Sequence, residues 1–267
     1  MPRARPILVV QHEGGCPPGH LLPWAHQCNV VLDVRACHRG APLPPSLSEH
    51  SGLILLGGEM GAYDDARHPW LSAAKSLVIQ SVIQSIPFLG LCLGHQLAAV
   101  ALGGRVGANP EGPSRGIFPV RPLALAGHDP IMAALPANAA VVHWNSDVVT
   151  TVPGGATVLA RDAQGQVQIL RFAEHAWGIQ GHPEVDAAIV AGWGRDPAPP
   201  AAAGGPGNDD IVALLETRQD ELERIWRPVA KLFFAATRRP GLGPGGRSVV
   251  PLPPPPNTPS VGRIHHR

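Results

Sequence analysis

Short, near-continuous apolar runs alternate with longer stretches of helical spacing along the first hundred residues. Residues 7–10 (ILVV) and 29–34 (NVVLDV) predict strands, with a poor helix over 17–28 between them. Residues 52–58 (GLILLGG) predict a buried strand ending in a glycine turn. Residues 68–86 carry Leu71, Leu77, Val78, Ile79, Val82 and Ile83 at roughly helical spacing. Residues 87–91 (PFLGL) form the next strand, and the helix that follows, LGHQLAAVALGG, closes at Gly103-Gly104, a C-cap signal. Strand, helix, strand, helix implies an α/β fold: an open, mostly parallel sheet with helices on both faces.

The pattern changes after residue 105. GIFPV, AAVVHW, ATVLA, VQILRF and WGIQ are short strand candidates separated by turn residues, which predicts a small antiparallel section. A last helix is expected over 210–239, broken near Pro228. Residues 195–210 (RDPAPPAAAGGPGNDD) read as an inserted linker. Residues 240–267, Pro/Gly-rich around PLPPPP, read as a disordered tail. One domain over 1–239 is therefore expected, with no internal repeats.

Composition narrows the function classes. A chain of 267 residues with 44% hydrophobic content can bury a sizeable core, and a formal net charge of +1 offers no footprint for nucleic acid or an acidic membrane. No apolar run approaches the roughly 18 residues of a membrane span, and the run after the basic N-terminus is too short for a signal peptide. A cytoplasmic protein is expected. The cysteines are Cys16, Cys28, Cys37 and Cys92, and none forms a C-x-x-C pair. They are expected to be free thiols, the first three serving only as small, partly buried residues.

Cys92 differs from the other three. It stands in Gly90-Leu91-Cys92-Leu93-Gly94 (GLCLG), between a predicted strand and a predicted helix. A sharp strand-to-helix turn throws a nucleophile above the sheet and crowds its neighbours, which favours flanking glycines. The helix N-terminus then offers unpaired N–H groups to an anion. A thiol nucleophile needs a base, and the base needs an orienting group. Among thirteen histidines, His182 stands out because it ends an apolar strand in His182-Pro183-Glu184. Residues two apart in an extended chain share a side, so Glu184 can reach the imidazole. Gly57-Gly58 also follows a buried strand and belongs at the same sheet edge.

These three elements, in this order, resemble the class I (triad-type) glutamine amidotransferase family. GLCLGHQ matches its G-x-C-x-G-x-Q elbow, GHPE its His-Pro-Glu signature, and LLGGEMGAYDD its oxyanion strand. The resemblance covers roughly residues 5–195 and is strongest to free-standing, GMP-synthase-like members. It implies a flavodoxin-like fold and hydrolysis of the glutamine side-chain amide through a cysteine γ-glutamyl thioester. Cys92 would be the nucleophile, His182 the proton carrier and Glu184 its orienting partner. Backbone N–H groups of Gly58 and Leu93 would form the oxyanion hole. Gln96, Trp144 and Asn145 would contact glutamine. The resemblance implies no metal and no organic cofactor. Ammonia would pass to a separate synthetase or acceptor enzyme, since neither GxxxxGK[ST] nor SGGxDS occurs in the chain.

Two departures from the family pattern carry expectations. Gly181 stands where relatives often have a large aromatic residue, which predicts looser packing behind His182. HWNSD at 143–147 departs from the substrate-contact segment of relatives. A γ-glutamyl peptidase or transferase using the same triad, and a catalytically silent regulatory homologue, are the alternative readings.

Overall fold

The structure is a computed structural model that describes residues 5–193 and 207–238. In chain order it contains β1 (Ile7–Gln11), α1 (Leu21–Gln27), β2 (Leu32–Ala36), β3 (Gly52–Leu55), α2 (Trp70–Ile83), β4 (Phe88–Leu91) and α3 (Leu93–Ala101). Then follow β5 (Arg105–Ala108), β6 (Ser114–Pro119), β7 (Arg121–Pro122), β8 (Ala140–Asn145), β9 (Asp147–Thr151), β10 (Thr157–Arg161), β11 (Val167–Ala173) and β12 (Ala176–Ile179). Two helices, α4 (Ala187–Trp193) and α5 (Asn208–Ala236), complete the described chain.

An eight-stranded sheet runs β2-β1-β3-β4-β12-β11-β10-β7. Its first five strands pair in parallel, and the last three join antiparallel. The continuous apolar runs are explained by burial on both faces. Ile7 and Val9 of β1 pack into one core with α1 and α5, whereas Leu8 and Val10 pack into the other with α2 and α3. The strand period of two thus divides each run between two helical layers.

Four differences from the sequence reading have physical causes. Strand β2 starts at Leu32 rather than 29, because Asn29 adopts φ 50 and turns the chain out of α1. The WGIQ strand is not antiparallel to its whole surroundings: β12 lies centrally, parallel to β4 and antiparallel to β11, and every residue in it is buried. Strands β5 and β9 form an extra ribbon that polar residues had hidden from the hydrophobic pattern. Finally, Pro228 does not break α5. It sits on the exposed side with Arg224, the residue whose carbonyl loses its donor. The proline costs about 3 kcal/mol. Buried Trp226, Phe233 and Phe234 offset it at roughly 1.5–3 kcal/mol each.

Of the predicted linker, residues 195–206 lie outside the described residues, and Asn208, Asp209 and Asp210 open α5 instead. The predicted tail also lies outside them. Among the described residues, no helix is long and apolar enough to cross a membrane.

Because β3, β4 and β12 are parallel neighbours, their carboxyl ends meet at one sheet edge. That edge receives Gly57-Gly58, Cys92 and Gln180 to Glu184, where open α/β sheets place their ligands.

Candidate active site

Cys92 is the single residue between β4 and α3, with φ 48 and ψ −105. For a residue with a side chain this region costs on the order of 1–3 kcal/mol, and it persists only where surroundings enforce it. Here the Cys92 N–H donates to Ile179 O at 2.8 Å, and Cys92 O accepts from Gln96 N–H at 3.1 Å. The flanking glycines are required by contact. A Cβ on Gly90 would lie 2.5 Å from Gly94 O and 2.7 Å from His95 N, and one on Gly94 would collide with the Leu55 backbone. The turn folds back so tightly that only hydrogen fits at either position.

His182 is fixed from three sides. Its N–H donates to Val142 O at 2.7 Å, and its Nδ1 lies 2.9 Å from Glu184 Oε1. The Trp193 ring stands 4.8 Å away, centroid to centroid. Both partners of the His182–Glu184 pair are buried. A Cβ on Gly57 would come within 2.6 Å of His182 Cε1, so this glycine clears space for the imidazole. The looser packing expected at Gly181 does not occur. Its missing side chain is replaced by Val141, which any Cβ there would strike. The same space is filled from β8 rather than from the residue itself.

Charge follows from this geometry. Burial alone would lower the His182 pKa, but the Cys92 sulfur and the Glu184 carboxylate raise it well above its ordinary value. A proton on His182 is therefore held between the Cys92 sulfur and the Glu184 side chain. Three other buried histidines, His12, His95 and His143, shift the opposite way. Burial, aided by nearby His68, lowers His12 to about 3. Burial also lowers His95 to about 3 and His143 to about 4, the latter against an opposing bond from Asn145. His95 packs on Phe172 and His143 bonds Asn145 at 3.1 Å, and neither lines the cavity above Cys92.

That cavity has a volume of about 550 Å³. Cys92, His182, Gly58, Gln96, Trp144 and Asn145 all line it, so the structure brings together most of the residues singled out in the sequence. Leu93 does not line it, but is the first residue of α3 beside Cys92. Glu184 sits behind His182, buried at 0% exposure. Gln96 is committed in part: its Nε2 donates to Asp147 O at 2.9 Å. Both ends of the Asn145 amide are engaged as well, by His143 and by Asp147 O.

Several residues in or beside the cavity were missed by sequence reasoning. Cys16 is buried in the cavity wall, with Sγ 3.2 Å from Glu13 Oε1, and burial followed by Glu13 raises its pKa steeply. Nothing in its local sequence marks it. Gln180 is also unassigned, yet its Nε2 reaches Cys92 Sγ at 3.9 Å and its Oε1 accepts from Gln96 at 3.4 Å. Here a signal existed, since Gln180 is two residues before His182 on an extended segment. Arg115 and Trp193 line the cavity from β6 and α4.

Comparison with known proteins gives the family. Residues 28–188 match the family model described as Glutamine amidotransferase class-I. A glutamine amidotransferase-like protein of Salmonella typhimurium is 28% identical over 248 residues, 87% of this chain and 99% of its own. Gamma-glutamyl peptidase 4 of Arabidopsis thaliana is 25% identical over 206 residues, covering 75% of this chain and 79% of that protein. The crystal structure of a glutamine amido transferase from Methylobacillus flagellatus superposes with a TM-score of 0.76. It is 24% identical and covers 92% of this chain and 99% of that one.

Proposed function

Since the chain belongs to the class I glutamine amidotransferase family, we propose that it cleaves the side-chain amide of glutamine through a thioester on Cys92. The observation that carries this reading is Cys92 at φ 48, at the head of α3, sharing one cavity with the buried His182–Glu184 pair.

In this reading the Cys92 sulfur attacks the γ-carbonyl carbon, and the carbonyl electron pair moves onto oxygen. The N–H groups of Gly58 and Leu93 receive that oxyanion, as preorganised donors do in acyl transfer. His182 gives its proton to the departing nitrogen, so ammonia leaves and the γ-glutamyl thioester remains. His182 then takes a proton from water, which attacks the thioester and releases glutamate. Glu184 holds the imidazole orientation and stabilises its charge. Gln96 would hold the substrate through its side-chain oxygen, and the Trp144-Asn145 segment would contact it. We place the reaction in the described unit of residues 5–193 and 207–238, in the cytoplasm, with ammonia passed to a separate synthetase or acceptor enzyme.

A second reading, cleavage of γ-glutamyl peptides, is favoured by one observation: the cavity is far larger than ammonia's departure needs.

Glutamate release from glutamine tests the first reading. Cys92→Ser should abolish it, while Cys28→Ser and Cys37→Ser retain it. His182→Ala should lose roughly 10²–10⁴-fold, the usual share of a proton-transfer group. Glu184→Ala should lose less, because it acts through the imidazole. Full activity in Cys92→Ser would sink the proposal.

A further inference from the structure

The wall of the cavity beside His182 is built for something other than ammonia. From the imidazole outward it is a row of rings in tilted contact, ending in a cation. The Trp193 ring lies 4.8 Å from His182, Trp144 lies 5.7 Å from Trp193, and the Arg115 guanidinium carbon sits 5.2 Å over Trp144. Trp193 is pinned by its Nε1–H, which donates to Gly15 O at 2.7 Å. Arg115 and Trp144 face each other in register across β6 and β8.

Arg115 is the one lysine or arginine among the described residues that line the cavity. Its guanidinium makes no hydrogen bond and no ion pair among the described residues, although Glu13, Glu59 and Asp147 line the same space. The cation–π contact with Trp144 holds the guanidinium over the ring while leaving its N–H edge available. A fixed planar fork with free donors matches a carboxylate in two-point contact.

The chemistry sets which end of a substrate meets this wall. In the reaction proposed above the departing nitrogen must face His182, which protonates it. Whatever is attached to that nitrogen therefore extends along the wall that starts at His182. With glutamine nothing is attached to that nitrogen, and its one carboxylate lies at the opposite end of the substrate. A cavity of about 550 Å³ falls in the range that encloses ligands much larger than glutamine.

We propose that Arg115 is a specificity-determining residue that binds a carboxylate on the departing side of the substrate, so that the enzyme takes γ-glutamyl amino acids and γ-glutamyl dipeptides. This rests on the roles given to Cys92 and His182. The step balances as before. The Cys92 sulfur bonds to the γ-carbon, the C–N bond breaks, and the amino acid leaves with the proton from His182. Water then releases glutamate.

The test compares γ-glutamylglycine and γ-glutamylglycylglycine, each with its C-terminal carboxamide twin. The members of each pair share the glutamyl end and differ only in the far carboxylate. Wild type should favour at least one carboxylate form over its twin by about 10- to 100-fold in kcat/KM, the scale of a hydrogen bond to a charged group. In Arg115→Ala that ratio should collapse toward one, with Arg115→Lys between the two; melting curves confirm that each variant is folded. Equal turnover within both pairs by wild type, or a preference that survives Arg115→Ala, would overturn the proposal. The same ratio read as Kd on Cys92→Ser tests Arg115 without turnover. Loss of all turnover with the Kd ratio intact would therefore count against the thioester reading alone.

Discussion

The floor and the wall of the cavity are made in different ways. The floor comes from the carboxyl ends of three adjacent parallel strands, β3, β4 and β12. There backbone touches backbone, Gly94 against Leu55 and Gly90 against the α3 entry, and Gly57 lies against the His182 ring. The wall comes from β6, β8 and α4, and there side chains touch side chains, with ring spacings of 4.8 to 5.7 Å. In the proposed reaction the floor fixes where a bond is broken. The wall can change its residues without moving the floor, and so is the place where one fold acquires its substrate.

The same substitution in the two regions should have opposite signs. Gly94→Ala drives a Cβ into the Leu55 backbone, which cannot move without displacing β3. We expect a loss at or above the upper end of the usual 1–3 kcal/mol for overpacking, or failure to fold. Gly192→Ala, on α4 in the wall, meets nothing within 4 Å among the described residues. It should stabilise by roughly 0.5–1 kcal/mol, the helical advantage of alanine over glycine. Chemical denaturation of both variants checks this. A tolerated Gly94→Ala would mean that the elbow is looser than its contacts imply.

A smaller effect distinguishes the regions by pH. His95 beneath the floor and His143 behind the wall have pKa values lowered to about 3 and about 4, burial being the main cause in both. In the unfolded chain each takes up a proton near pH 6.5. Below that pH the unfolded state binds more protons than the native state, so stability falls as pH falls toward 4. Each group contributes about 1.4 kcal/mol per pH unit inside that window. Denaturation midpoints between pH 7 and 4.5 should decline, and His95→Gln should flatten the decline at least as much as His143→Gln. A flat wild-type profile would contradict the burial of both rings.

The contrast also explains what was legible in the sequence. The floor is written in contiguous motifs, because a turn of one residue must place glycine, nucleophile and glycine side by side. GLCLG and HPE could therefore be read directly, as could the β-α alternation that brings them to one edge. The wall is assembled from residues far apart in the chain: Gly15, Arg115, Trp144 and Trp193 meet only after β6 pairs with β8 and α4 packs beside them. No local pattern links them. The polar β5–β9 ribbon was hidden for the same reason, since its pairing is visible only in three dimensions. Pro228 misled because a local rule was outweighed by the apolar face of α5, buried far from it in sequence.

The central claim is that Cys92, and not the neighbouring Cys16, is the nucleophile. Both thiols line one cavity, yet only Cys92 stands at the head of a helix with its sulfur near His182. A diazoketone analogue of glutamine, followed by peptide mapping, separates them. The account predicts one label per chain, on Cys92, slowed by added glutamine and lost in Cys92→Ser. Glutamine-protected labelling of Cys16, or labelling of Cys92 that glutamine does not slow, would contradict it.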